Sequence, residues 1–227
     1  MTRGPVYRDR RDAGRVLATD LATDLVPDLA GPGEDSGVDP GVTVLGLARG
    51  GVPVAVEVAR ALSAPLDVIV VRKLGVPGRP ELAMGAIAPG GVRVLNDHVV
   101  AGLSIPAHVV DAVAAAESAE LRWRERAYRG GRPPLDVAGR VVIVVDDGLA
   151  TGATMRAAVL AVRSLRPAGV VVAVPTGARS ACDEIARFAD RVVCSVTPEP
   201  FDSVGEWYAD FAQTTDDEVQ AALAGAS

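Results

Sequence analysis

The 227-residue sequence predicts an α/β fold: a mainly parallel sheet with helices on both faces, a hairpin inserted after the second strand, and a small cap. Three observations carry that prediction. Five short runs rich in valine and isoleucine are continuously apolar instead of alternating, as strands covered on both faces require. Helical segments fall between most of them, and that alternation calls for right-handed crossovers and a parallel sheet. Polar, glycine-containing turns follow several of the runs directly, and in a parallel sheet such turns gather at one edge, where ligands bind.

Taken in order, residues from about Tyr7 to Leu29 read as an amphipathic helix with Ala13, Leu17, Leu21 and Leu25 on one face. GPGEDSGVDPG, Gly31 to Gly41, reads as a loop. VTVLGLA (42–48) is the first strand, and ARGGVP leads from it into a helix through VAVEVARAL. PLDVIVV (65–71) is the second strand and ends at Arg72 and Lys73. LGVPGRP then reads as a loop, while ELAMGAIA and VRVLN flank Pro89-Gly90-Gly91 as a hairpin. A long helix follows from about Pro106 to Arg129. GRVVIVV is the third strand, TMRAAVLAVRSL its helix, GVVVAVP the fourth strand, SACDEIARFA another helix and RVVCSV the fifth strand. The tail concentrates Phe201, Trp207, Tyr208 and Phe211 in a chain that is only 4% aromatic, so it is expected to pack as a cap on the sheet's edge or mouth. The expectation is one domain over 1–227, with its core at about 42–196, the hairpin at about 74–96 and the cap at about 197–227.

With 49% apolar residues, a chain of this length can bury a sizeable core. A net charge of −6 and a pI near 5.0 argue against a broad surface for nucleic acid or anionic membrane. MTRGPVYRDRRDAGRVL has arginines with no apolar stretch behind them, and nowhere do eighteen apolar residues run together. Neither a signal peptide nor a membrane span is expected, and the location expected is cytoplasmic. Cys182 and Cys194 lack CxxC spacing and read as buried reduced thiols, and His98 and His108 are too isolated for zinc. Lys73 is the one lysine in a chain that otherwise uses arginine. Either it is there by chance or the position needs a compact ammonium.

Three polar loops follow strands directly: Arg49-Gly50-Gly51, Arg72-Lys73, and Asp146 through Thr154. In the third, Gly148, Ala150, Gly152 and Ala153 leave room for backbone N–H groups to point inward, Thr151 and Thr154 add hydroxyls, and a helix begins there. That composition suits a phosphate. It is not a P-loop, because the Gly-Lys-Ser/Thr ending is missing, and GxGxxG is absent too. Asp146 and Asp147 would repel a bound phosphate unless a hydrogen-bond donor or a cation lay between. A ribose diol is the first and Mg²⁺ the second.

VVIVVDDGLATGATM resembles the phosphoribosyl pyrophosphate (PRPP) motif of type I phosphoribosyltransferases: a hydrophobic strand, two acids, three variable positions, then Thr-Gly-x-Thr. RDRRDAGRVLA, LARGGVPVA, RKLGVPGRPELAMGA and PFDSVGEWYADF extend the likeness to a bacterial group of predicted phosphoribosyltransferases over nearly the full length. The resemblance implies a Rossmann-like type I phosphoribosyltransferase fold, with a hood from the termini and a hairpin lid. It implies Mg²⁺-dependent transfer of the 5-phosphoribosyl group from PRPP to a small nitrogenous acceptor, or the reverse. Gly148, Leu149, Ala150, Thr151, Gly152, Ala153 and Thr154 would then bind the 5-phosphate. Arg49, Gly50, Gly51, Arg72 and Lys73 would take the diphosphate, and Asp146 and Asp147 the ribose hydroxyls, with Mg²⁺ met indirectly through these or through water. Glu81, within the lid, would orient it or handle an acceptor proton. Ala150 stands where 6-oxopurine enzymes commonly carry an aspartate, so the wording is nearer the adenine enzymes, and Trp207, Tyr208 and Phe211 are either base-stacking or core residues. A non-catalytic PRPP or nucleotide sensor on the same fold is the alternative. A homodimer is compatible with the sheet, but no surface in the sequence fixes one.

Overall fold

The computed structural model of the protein describes residues 6–29 and 41–225. In chain order the elements are α1 (Arg10–Leu29), β1 (Val42–Leu47), α2 (Gly51–Ala61), β2 (Leu66–Ile69), β3 (Arg72–Val76), β4 (Arg79–Ala88), β5 (Val92–Leu95), α3 (Asp97–Gly102) and α4 (Ala107–Arg129). They continue as β6 (Val141–Val145), α5 (Ala153–Ser164), β7 (Gly169–Thr176), α6 (Arg179–Ile185), β8 (Arg191–Val196) and α7 (Asp216–Ala224). β1, β2, β6, β7 and β8 are the five predicted strands. They form one wholly parallel sheet in the order β2-β1-β6-β7-β8.

The continuous apolar runs are explained by the two faces that they fill, since successive side chains of a strand point opposite ways. Val44, Val68, Ile143 and Ala173 pack with Leu17 of α1, Val54 of α2, Leu121 of α4 and Leu223 of α7. Leu45, Val142, Val144 and Val172 pack on the other face with Val159 of α5 and Ile185 of α6. Ala13, Leu17 and Leu21 bury the predicted face of α1, whereas the side chain of Leu25 and the loop at 31–40 lie outside the described residues. Among the described residues no helix is long and apolar enough to cross a membrane. Cys182 and Cys194 are free thiols.

The predicted hairpin is present, with β4 and β5 antiparallel on either side of Pro89-Gly90-Gly91, but the stretch before it differs from the sequence reading. Arg72 and Lys73 open a strand instead of a loop, and β3-β4-β5 make a separate three-stranded antiparallel sheet. β3 and β4 are joined at Pro77-Gly78, where Gly78 takes a left-handed φ of 78°. Leu74, Met84, Ala86, Ile87 and Ala88 are buried, so much of the expected lid is packed on the core, and its longest exposed run is the tip from Pro77 to Glu81. α3 and α7 were also unforeseen. α7 begins with a capping box, Thr215 accepting from the Glu218 N–H while Glu218 accepts from that of Thr215.

One polar tie across the fold is buried. Arg129, in the last turn of α4, donates through Nε to both Asp67 oxygens at 3.0 Å and through Nη2 to the Val68 carbonyl at 2.8 Å. Arg129→Met is expected to destabilise the protein by about 3–5 kcal/mol, because it strands a buried carboxylate. Chemical denaturation measures this, and a loss below about 1 kcal/mol would class the pair with exposed ones.

Candidate functional site

β6 ends at Val145, and the chain turns at once through Asp146 and Asp147. The Asp147 N–H donates to Asp146 Oδ1 at 2.8 Å, so the first acid is aimed by the backbone of the second. The Gly50-Gly51 turn, which follows β1, packs directly on them. A Cβ on Gly50 would lie 2.1 Å from Asp147 Oδ2, and one on Gly51 would lie 2.4 Å from the Val145 carbonyl. Glycine at these two positions is what lets the loops after neighbouring parallel strands touch. The Ala48–Arg49 peptide, at the entrance to this turn, is cis.

Beyond the acids the loop is pinned on one side and open on the other. The Leu149 N–H donates to the Thr176 carbonyl at 2.9 Å and its carbonyl accepts from the Ala178 N–H at 2.8 Å. A Cβ on Gly148 would meet Val204 at 2.4 Å, so the C-terminal cap rests on the loop there. Gly152 caps α5 with φ 76°, a left-handed turn that favours glycine. Ala150, Thr151, Ala153 and Thr154 are exposed around it. The first N–H groups of a helix have no partner within it and carry its positive dipole end, so this open turn suits an anion.

The acids themselves are less open than the sequence suggests. Arg10, at the start of α1, donates through Nε to Asp147 Oδ2 at 2.8 Å, and the two side chains are only 12% and 15% exposed. The Arg10 guanidinium also lies 3.9 Å from the Phe211 ring centroid and donates through Nη1 to the Ala212 carbonyl at 2.6 Å. The Tyr208 hydroxyl donates to the Asp147 carbonyl. One oxygen of Asp147, which the sequence reading offers to a ribose hydroxyl, is thus held by Arg10 in the resting structure. Burial, and next the charge of Asp147, push the Asp146 carboxyl well above the usual carboxylate range. Asp147 is also raised by burial, with Arg10 opposing the shift. Two adjacent half-buried acids are a place where a positive charge or hydroxyl donors are wanted. Among the described residues no group of three His, Cys, Asp or Glu side chains could hold a metal. The hard oxygen donors fit Mg²⁺ of the kind that keeps its waters and shares one or two carboxylates with a phosphate ligand.

The cations predicted for a diphosphate each have a resting partner. Arg49 Nη1 lies 3.6 Å from Asp216 Oδ1 in the first turn of α7, and Tyr128 donates to that same oxygen. Arg72 grips Glu117 of α4 through Nε at 2.8 Å and Nη2 at 2.7 Å. Lys73 is exposed and donates to the Glu81 carbonyl at 3.2 Å, while Glu81 itself is exposed at the hairpin tip. Arg72, Lys73 and Glu117 line a cleft of about 440 Å³ with residues 75–78, Pro80 and Val113. Thus Gly50, Gly51, Asp146 and Asp147 come together as one group, and Arg72, Lys73 and Glu81 as another. Among the described residues no hydrogen bond or ion pair joins the two. A wider groove of about 820 Å³ between α1, α2 and the C-terminal segment shares Arg10 with the site and neither acid. It is larger, but no residue predicted for the site lines it.

Sequence reasoning missed Arg10 and Asp216, whose partners lie far along the chain. The aromatic tail resolves into separate jobs: Tyr208 pairs with Tyr7 as a β-bridge and packs against it, Phe201 and Trp207 stack on each other at 6.4 Å, and Phe211 carries Arg10.

Comparison with known proteins agrees with this geometry. The sequence profile of the phosphoribosyl transferase domain matches residues 35–206. A Mycobacterium tuberculosis protein that carries a provisional phosphoribosyl transferase name is 50% identical over 218 residues, which are 96% of this chain and 46% of that protein. The chain thus spans about half the length of the curated relatives it matches. The crystal structure of TT1426 from Thermus thermophilus is 42% identical with a TM-score of 0.75, over 96% of this chain and 97% of that one. A ppGpp-bound hypothetical protein from Neisseria gonorrhoeae, 14% identical with a TM-score of 0.51 over 100% of this chain and 99% of that one, shares the fold alone. On the matched profile, the strand-edge loops and the fold together, the chain belongs to the phosphoribosyl transferase domain family.

Proposed function

We propose that this protein transfers the 5-phosphoribosyl group between PRPP and a nitrogen atom of a small base, with Mg²⁺. The observation that carries the reading is the direct packing of the Gly50-Gly51 turn on Asp146 and Asp147, beside the open N-terminus of α5. In this reading the 5-phosphate lies on the N–H groups and hydroxyls from Thr151 to Thr154, and the ribose diol reaches the acid pair. The diphosphate lies over Arg49, Gly50 and Gly51, with Arg72 and Lys73 leaving Glu117 and the Glu81 carbonyl to meet it as the hairpin tip closes. Mg²⁺, held through the diol, water and phosphate oxygens, would help neutralise the leaving diphosphate. The C1–O bond breaks with its electron pair going to pyrophosphate, a C1–N bond forms, and the acceptor gives up a proton. Glu81 is the tip's carboxylate and is the candidate to orient the tip or accept that proton. Little covalent help is asked of the protein, which holds the reactants in line and stabilises the departing charge.

Calorimetry with Mg²⁺ and PRPP, followed by pyrophosphate release across a panel of nitrogenous bases, tests the proposal. Saturable binding that depends on Mg²⁺, with release stimulated by one base class, is expected. Absence of PRPP binding at millimolar concentration would overturn it.

A further inference from the structure

Resting on that reading, we propose that Arg10 is a positioning residue that gives the two acids different tasks: it holds Asp147 as a strut and leaves Asp146 to meet the ribose diol. Four contacts hold the strut. Asp147 Oδ2 accepts from Arg10 Nε, its carboxylate lies against the Cα of Gly50, its carbonyl accepts from Tyr208, and its N–H donates to Asp146 Oδ1. Every one of these fixes Asp147 to the protein, and the last converts that fixity into the aim of Asp146.

Arg10 is itself held too well to be an incidental surface pair. Its guanidinium carbon lies 3.9 Å from the Phe211 ring centroid, Nη1 donates to the Ala212 carbonyl at 2.6 Å, and the side chain is 12% exposed. Breaking a pair so covered leaves a charge with little water and no partner, unlike an exposed pair. The fork matters as much as the charge. One nitrogen serves the acid, a second serves a carbonyl, and the flat face serves the ring, which an ammonium cannot reproduce. The first and last parts of the described chain therefore meet on the acid that follows β6, and no ligand need touch Arg10 for it to govern affinity.

The test is a double-mutant cycle on Mg²⁺–PRPP affinity, by calorimetry at a temperature where circular dichroism shows every variant folded. Arg10→Gln and Asp147→Asn are each expected to weaken binding about tenfold, and the double variant to bind no worse than Asp147→Asn alone. Arg10→Lys should recover only part of the loss, and KM for PRPP should rise more than kcat falls. If the double variant shows the product of the two single losses, Arg10 acts on the ligand independently and the proposal is overturned. Wild-type affinity in Arg10→Gln would overturn it too. Should Arg10→Gln fail to fold, Phe211→Ala loosens the guanidinium and keeps both charges. It is expected to weaken binding in the wild-type background and to add nothing to Asp147→Asn, and unchanged affinity would overturn the proposal. Failure of the wild-type protein to bind Mg²⁺–PRPP would instead strike the functional reading and take this inference with it, whereas additive variants of a binding wild type strike this inference alone.

Discussion

Asp146→Asn is expected to weaken Mg²⁺–PRPP binding by roughly 10- to 100-fold, the loss that follows from removing one or two hydrogen bonds to a charged group. The same variant should melt no lower than the wild type. The carboxamide keeps the shape and its oxygen can still accept the Asp147 N–H, while the buried charge beside Asp147 is gone. The sign follows from linkage. A carboxyl whose pKa is raised on folding costs stability as pH climbs from the ordinary carboxylate value toward the raised one, and near neutrality that cost is present. On that sign, Asp146→Asn is expected to give up affinity and lose no stability, as substitutions in binding sites commonly do. Calorimetry and thermal melts at neutral pH measure both halves. Undiminished affinity would remove Asp146 from the sugar site, and a melt lowered by several degrees would make it a structural residue.

Gly51→Ala is expected to be the most damaging single methyl in the protein. Its Cβ would stand 2.4 Å from the Val145 carbonyl oxygen and 2.8 Å from the Asp146 Cα, both backbone atoms at the end of a central strand. No rotamer relieves such a clash, so the turn after β1 must part from the turn after β6. Overpacking of this kind costs about 1–3 kcal/mol or more, and PRPP affinity should fall below detection even where the variant folds. Gly102→Ala is the control, with nothing within 4 Å of its Cβ. It should leave both unfolding free energy and PRPP affinity near wild type. Equal stability and affinity in Gly51→Ala would show that the two loops are not built as one unit.

The five parallel strands were legible because each is an uninterrupted apolar run, and the acid pair and the Gly50-Gly51 turn were legible because local sequence follows each strand. The β3 strand was not, since Gly75 and Pro77 give the stretch the composition of a loop, and the pairing of β3 with β4 shifts register beside Gly75. α7 carried a readable signal in its capping box, Thr215 with Glu218, which was overlooked beside the aromatic residues of the tail. Arg10 was visible only as one letter of RDRRDAGRVLA, with nothing to show what it touches. An arginine at the head of an amphipathic helix looks solvated until the fold carries it to Asp147, and neither periodicity nor spacing encodes a contact of that kind. Arg49 was picked out for its place in the loop after the first strand and Arg72 for its charge, but their resting partners Asp216 and Glu117 belong to distant helices.

Arg10 meets Asp147 across 137 positions of sequence and Ala212 across 202. Contacts so remote close late, because the intervening polypeptide must be ordered before they gain anything. During synthesis, a nascent chain that has emerged as far as β8 holds all five strands of its parallel sheet, yet Asp147 still lacks the hydroxyl of Tyr208, and Arg10 lacks its ring and carbonyl. If the acid pair holds a sugar as proposed, its competence to do so waits on translation of the stretch from Tyr208 to Ala212, after the scaffold can form.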